Sequence, residues 1–287
     1  MSVIIGNARS DEHGRITGGE PGDQTGKEVC MQTWYRDSRG WRILRPRDPE
    51  AAKKIAWDMQ AACDNDEIGY DQSDNQSLYW AAMPYGFDCS KVDTPCETDC
   101  SQLIRVCVNF AGIPAAYFYT GNEADVLLST GAFLELTGSQ YQYKSDYLRA
   151  GDIGITKTKG HTWAALTDGS KAYLWSSELT IAMQRSYGTP VDGEIWGQYL
   201  LNKRYLPNAD SGWKWSLMPK GSALIRAMQE DLQSGGYYKD AIDGIAGKNF
   251  VKALQMFLNS LYPDDALTVD GVMGCQTVKR LCAYYGI

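Results

Sequence analysis

The chain has 287 residues, 44% of them apolar, with 28 basic against 35 acidic side chains and a formal net charge of −7. That length allows about two domains. An acidic balance without a basic tract excludes a nucleic-acid partner held by many phosphate contacts. No run approaches the roughly 20 apolar residues that span a bilayer, so membrane insertion is not expected.

The opening stretch, Met-Ser-Val-Ile-Ile-Gly-Asn-Ala-Arg-Ser, has neither a basic leader nor a long apolar core. No secretory signal is expected, and the protein should be made in a cytoplasm and act elsewhere only if something releases it. The eight cysteines stand at 30, 63, 89, 96, 100, 107, 275 and 282. Without export a disulfide framework is not expected. Cys89, Cys96 and Cys100 raise the question of zinc. They lack a paired C-x-x-C, and the chain has 2 histidines, so no metal or other cofactor is expected. Nine Trp and 18 Tyr are mostly core, with some rings available to stack on a sugar.

Taken in chain order, residues 49–63 predict a helix through Ala51, Ala52, Ile55, Ala56 and Met59. Residues 68–83 predict a loop and then a helix through Leu78, Trp80 and Ala81. A third helix is expected from Cys100 to about 111, with Leu103, Val106 and Cys107 on one face. Another covers Gly121 to Thr130. Ile153–Thr156 and Thr162–Leu166 read as strands. Asp168-Gly169 is a hairpin signal leading into Ala172–Trp175.

The C-terminal part repeats itself. Gln229-x-x-Leu232, Asp243-Gly244-x-x-Gly247 and Val251-Lys252 return as Gln255-x-x-Leu258, Asp270-Gly271-x-x-Gly274 and Val278-Lys279. Each unit predicts a helix, an Asp-Gly loop and a helix, giving one small all-α domain over 222–287. Residues 178–221 are irregular but too apolar for a free linker, and an ordered spacer is expected there. The remaining residues, 1–177, form the N-terminal domain.

Cys100 at a helix N-terminus meets backbone N–H groups and a dipole that favour a thiolate. His161 is the one histidine in the middle of the chain, and within reach it would make the thiol a nucleophile. Cys89, in Asp88-Cys89-Ser90, is a rival, but Pro95 breaks the helix it would need. His13 lies in a polar turn and is expected to be solvated.

The stretch Asp99-Cys100-Ser101, together with Leu148–Ile155 containing Gly151-Asp152 and with Gly160-His161-Thr162, resembles the NlpC-type and CHAP-type cell-wall cysteine hydrolases over about residues 60–175. The resemblance implies an α+β, papain-like domain: a helix bearing Cys packed on an antiparallel sheet bearing His. It implies cleavage of an amide bond in peptidoglycan, with Cys100 and His161 as the catalytic pair. In Ile68–Ser73, Tyr70 and Gln72 fall where these enzymes line the site, so Tyr70 is a candidate oxyanion donor. Relatives orient the histidine from the next strand. Tyr173 falls there by family spacing, Ser176 by a two-residue hairpin, and Asp71 and Glu178 are further options. Gly22–Glu28 looks like an element of phage-borne relatives.

The repeat resembles the peptidoglycan-binding domain appended to many wall hydrolases, which would make Asp243 and Asp270 helix caps, wall contacts or both. Together these resemblances imply a monomeric phage endolysin. Cleavage between D-glutamate and the diamino acid of the stem peptide leads. An N-acetylmuramoyl-L-alanine amidase or cross-bridge endopeptidase stands beside it, as does a wall-binding protein whose catalytic half is degenerate.

Overall fold

The computed structural model describes residues 2–158 and 160–286. Contacts divide the chain into two units, Met1–Ala172 and Tyr173–Ile287.

The first unit contains β1 (Ile4–Ala8), β2 (Val29–Thr33), β3 (Trp41–Pro46), α1 (Pro49–Cys63), β4 (Ile68–Tyr70), α2 (Ser77–Ala82) and β5 (Cys96–Thr98). Then come α3 (Cys100–Phe110), α4 (Glu123–Ser129), β6 (Phe133–Leu136), α5 (Ser139–Gln142), β7 (Ile153–Thr156) and β8 (Thr162–Ala165). Six strands form a sheet in the order β2-β1-β8-β7-β3-β6, each neighbouring pair antiparallel. β4 and β5 pair in parallel outside it. The unit is thus mixed α/β with a mostly antiparallel sheet, compatible with the expected α+β class.

The helices form where the apolar period runs. α1 starts at Asp48, whose side chain accepts from the Glu50 N–H, with Pro49 in the first turn. It buries Ala51, Ile55, Met59 and Ala62. These side chains share a core with Leu103, Val106 and Cys107 of α3 and with Ile153 and Ala164 of the sheet. Trp41, Trp163, Ile5, Ile43 and Leu148 form a second cluster.

Asp152, at the entry to β7, is fully buried. Its carboxylate receives Arg45 Nε at 2.8 Å and Nη2 at 2.7 Å, and the Arg149 N–H at 2.8 Å. Gly151 before it has φ +87°, and a Cβ there would lie 2.3 Å from the Ala52 carbonyl oxygen. The Gly-Asp pair therefore docks this strand entry onto α1 and β3.

The expected hairpin after β8 does not form. Asp168 Oδ1 accepts from the Ala150 N–H, and the Gly169 N–H donates to the Leu148 carbonyl. Those bonds tie the turn to the segment before β7. The free edge of β8 is instead taken by β1, with Ile5 opposite Ala165 and Gly6 opposite Ala164.

The second unit contains α6 (Ser177–Ser186), β9 (Ile195–Tyr199), β10 (Trp213–Ser216), α7 (Ala223–Ser234), α8 (Lys248–Leu261) and α9 (Cys275–Tyr285). Trp175, Leu179, Met183, Ile195 and Trp213 share a core with Met228, Phe250, Leu254, Leu258 and Leu281. The segment before residue 222 therefore packs into the same core as the repeat helices.

The two repeats carry the same clamp. Gln229 Nε2 donates to Asp243 Oδ1 and the Ile245 carbonyl, while its Oε1 accepts from the Gly244 N–H. Gln255 Nε2 donates to Asp270 Oδ1 and the Val272 carbonyl, and its Oε1 accepts from the Gly271 N–H. Gly244 and Gly271 sit at φ +76° and +78°, which this loop requires. Among the described residues, no helix is long and apolar enough to cross a membrane.

Candidate active site

Asp99 builds the N-terminus of α3. Its Oδ1 accepts from the Gln102 N–H at 2.7 Å and from Ser101 Oγ at 2.7 Å, and its Oδ2 accepts from Asn75 Nδ2 at 3.0 Å. Cys100 follows as the first helical residue and is 5% exposed. α3 is held from behind: Gln102 Nε2 donates to the Phe118 carbonyl, and Arg105 lies 3.9 Å from the centre of the Tyr79 ring.

His161 stands immediately ahead of β8. The Thr156 N–H donates to the His161 carbonyl at 3.0 Å, and the His161 N–H to Thr156 Oγ1 at 3.1 Å, which fixes the backbone. The backbone N–H of the next residue, Thr162, bears on the Cys100 thiol and partly offsets its rise. β8 also packs against α3. The cysteine and histidine segments therefore meet.

Asn7, on β1, completes the arrangement. His161 Nε2 lies 2.9 Å from Asn7 Oδ1. Asn7 Nδ2 donates to the Cys30 carbonyl at 2.9 Å, and Gln32 Nε2 donates to Asn7 Oδ1 at 3.0 Å. These two bonds fix which end of the amide is oxygen. His161 Nε2 must then carry the proton, leaving Nδ1 as the free base. The sequence reading missed Asn7. Tyr173 and Ser176 lie in the second unit, where Ser176 Oγ accepts from the Leu179 N–H and caps α6. Asp71 accepts from the Gly18 and Ser73 N–H groups and from Ser73 Oγ.

Burial governs the charges. It pushes the Cys100 thiol well above its ordinary value, with Asp99 and Glu123 adding to the rise. It lowers His161 to about 4, helped by the Arg9 and Arg39 charges. Helix-end stabilisation amounts to at most about 2 kcal/mol, whereas an imperfectly solvated buried ion costs several kcal/mol. Burial therefore disfavours the charged form of both groups and opposes the thiolate expected from the helix alone.

Tyr70 comes to the same place. Burial and the neighbouring Cys100 and Asp99 raise its phenol, and Gln72 hydrogen-bonds it. The 22–28 loop braces this strand, since Glu28 accepts from the Gln24 and Tyr70 N–H groups. Exposed Tyr117 receives a bond from Asn75, the residue that also holds Asp99.

The rival Cys89 is fully buried, its N–H donating to Asp58 Oδ1 at 2.8 Å and its sulfur 3.4 Å from Asp58 Oδ2. All eight thiols are free. Among the described residues no three or more His, Cys, Asp or Glu side chains are grouped to hold a metal. A groove lined by Trp57, Gln60, Asp64, Glu67 and Val92 contains none of the residues above. Asp243 and Asp270 lie in the second unit, inside the clamps already described.

The helix-borne thiol, the imidazole at the head of β8 and the surrounding antiparallel sheet occur within a region that matches a cell-wall enzyme family of endolysin type, a class that hydrolyses peptidoglycan. The chain belongs to the endolysin-like domain family, whose model matches residues 5–172. No curated protein and no solved structure matches it.

Proposed function

We propose that the protein is a phage endolysin with papain-like chemistry, cutting an amide bond of the peptidoglycan stem peptide through Cys100, His161 and Asn7. The observation that carries this reading is the His161–Asn7 bond beside a buried cysteine that opens a helix. Asn7 sets the tautomer, so His161 Nδ1 takes the proton from Cys100 Sγ as sulfur attacks the scissile carbonyl. The Cys100 N–H and the Tyr70 hydroxyl hold the oxyanion. His161 returns the proton to the leaving amine, and the C–N bond breaks to leave a thioester. Water, deprotonated by His161, then attacks that carbonyl, frees the acid and restores the thiol.

Asp99-Cys100-Ser101 and Gly160-His161 support the D-glutamyl–diamino acid bond as the one cut, through their likeness to the NlpC-type motif. The repeat clamps in the second unit support a peptidoglycan-binding module on the substrate side of the same reaction. Mass spectrometry of fragments released from purified walls tests this. Fragments with a new amino terminus on the diamino acid are expected. A new amino terminus on L-alanine would replace the endopeptidase reading by an amidase, and no fragments at all would leave a wall-binding protein.

A further inference from the structure

Glu123 opens α4 and is fully buried, yet nothing in the reaction above uses it. Its Oε1 accepts from Thr162 Oγ1 at 2.8 Å, and its Oε2 is buried with no hydrogen-bond partner. Thr162 follows His161 directly, and its backbone N–H bears on the Cys100 thiol. One side chain thus links the buried carboxyl to the peptide that follows the base.

The charge that bears on it most is negative. Asp99, at the head of α3, bears on Glu123, and Glu123 bears on Cys100. From β8 it meets the uncharged Thr162. α4 also packs on β3 and β6, where Arg42 is bound to Glu135 and to Asp125. A carboxylate so buried, with one hydrogen bond and Asp99 as neighbour, is costly, which favours the neutral acid. Burial accordingly raises the group well above its ordinary range.

We infer that Glu123 is a positioning residue for the Cys100 reaction: its buried carboxyl anchors the Thr162 side chain and so holds the peptide that follows His161 beside α3, and a negative charge on it turns the site off. A negative Glu123 would oppose both a forming thiolate and the oxyanion, and would pull the Thr162 hydroxyl toward itself. This inference rests on the Cys100 reading proposed above.

The test compares wild type, Glu123→Gln, Glu123→Ala and Cys100→Ala on a soluble muropeptide across pH, with iodoacetamide alkylation of Cys100 as a second readout. Glu123→Gln keeps the shape and the hydrogen-bond acceptor without the ionisation. It should match wild type within about threefold near neutrality and keep its activity as pH rises, where wild type falls. Alkylation should follow the same divergence. Glu123→Ala should lower kcat about tenfold or more with little change in KM. If Glu123→Ala does not fold, the Gln profile decides alone. A wild-type profile that stays flat at alkaline pH, or a Gln profile that falls in parallel with it, overturns the inference while Cys100→Ala remains inactive. Full activity in Cys100→Ala overturns the underlying reading instead.

Discussion

In the proposed reaction, a proton passed from Cys100 to His161 is the smallest unit on which the chemistry depends. With the imidazole lowered to about 4, His161 is an available base throughout the neutral range. The acid limb of kcat/KM should therefore lie near pH 4, well below the roughly 6.5 of a free imidazole. A limb at 6.5 would show the imidazole unshifted, and a thiolate absorbance at neutral pH would mean that the pair is charged at rest. The same shift affects stability. The unfolded chain takes up this proton below about 6.5 and the folded chain not until about 4, so the His161 contribution is present above 6.5 and is lost as pH falls between the two values. Asn7→Ala removes the bond that sets the tautomer. A hydrogen bond to a catalytic group contributes about 1–3 kcal/mol, so kcat/KM should fall about 5- to 160-fold with KM little changed. An unaltered rate would remove Asn7 from the mechanism.

Strands and helices decide which residues can meet, and here the sequence was informative to different depths. The helices at Pro49 and Cys100 and the strands at Ile153 and Thr162 were legible because cap residues and apolar period agree within short windows. Asn7 was not, because it is 154 positions from His161 and comes from the first strand, a pairing that no local spacing encodes. The Asp168-Gly169 signal failed because its polar groups are spent on Ala150 and Leu148, not on a tight turn between strands. Gly151-Asp152 is a brace for the entry to β7. Asp152→Ala leaves the Arg45 guanidinium, largely buried, without its carboxylate, and should cost about 3–5 kcal/mol in urea unfolding of the whole protein. A loss below about 1 kcal/mol would show the ion pair to be dispensable.

Over the whole molecule, the repeat was visible as a motif, but its extent as a packing unit was not. Trp175 and Trp213 complete the core around α7–α9, although their own segment has no period that announces it. Asp243 and Asp270 had two readings, and the clamps give each a structural task in its loop. Gln229→Ala or Gln255→Ala should each destabilise the second unit by about 1–3 kcal/mol, measured by its thermal transition. A chain ending at Ala172 retains the cores of the first unit, whereas a cut before residue 222 divides the second. The shorter chain should lose wall adsorption far more than hydrolysis of a soluble muropeptide. Equal losses in both assays would mean that the second unit serves catalysis as well as binding.

Turbidity loss of purified cell walls with Cys100→Ala, set against the unaltered protein, tests the central claim most directly. The account predicts rapid clearing by the unaltered protein and none above background for the variant, with unchanged adsorption to the walls. Clearing at the unaltered rate by Cys100→Ala would contradict it.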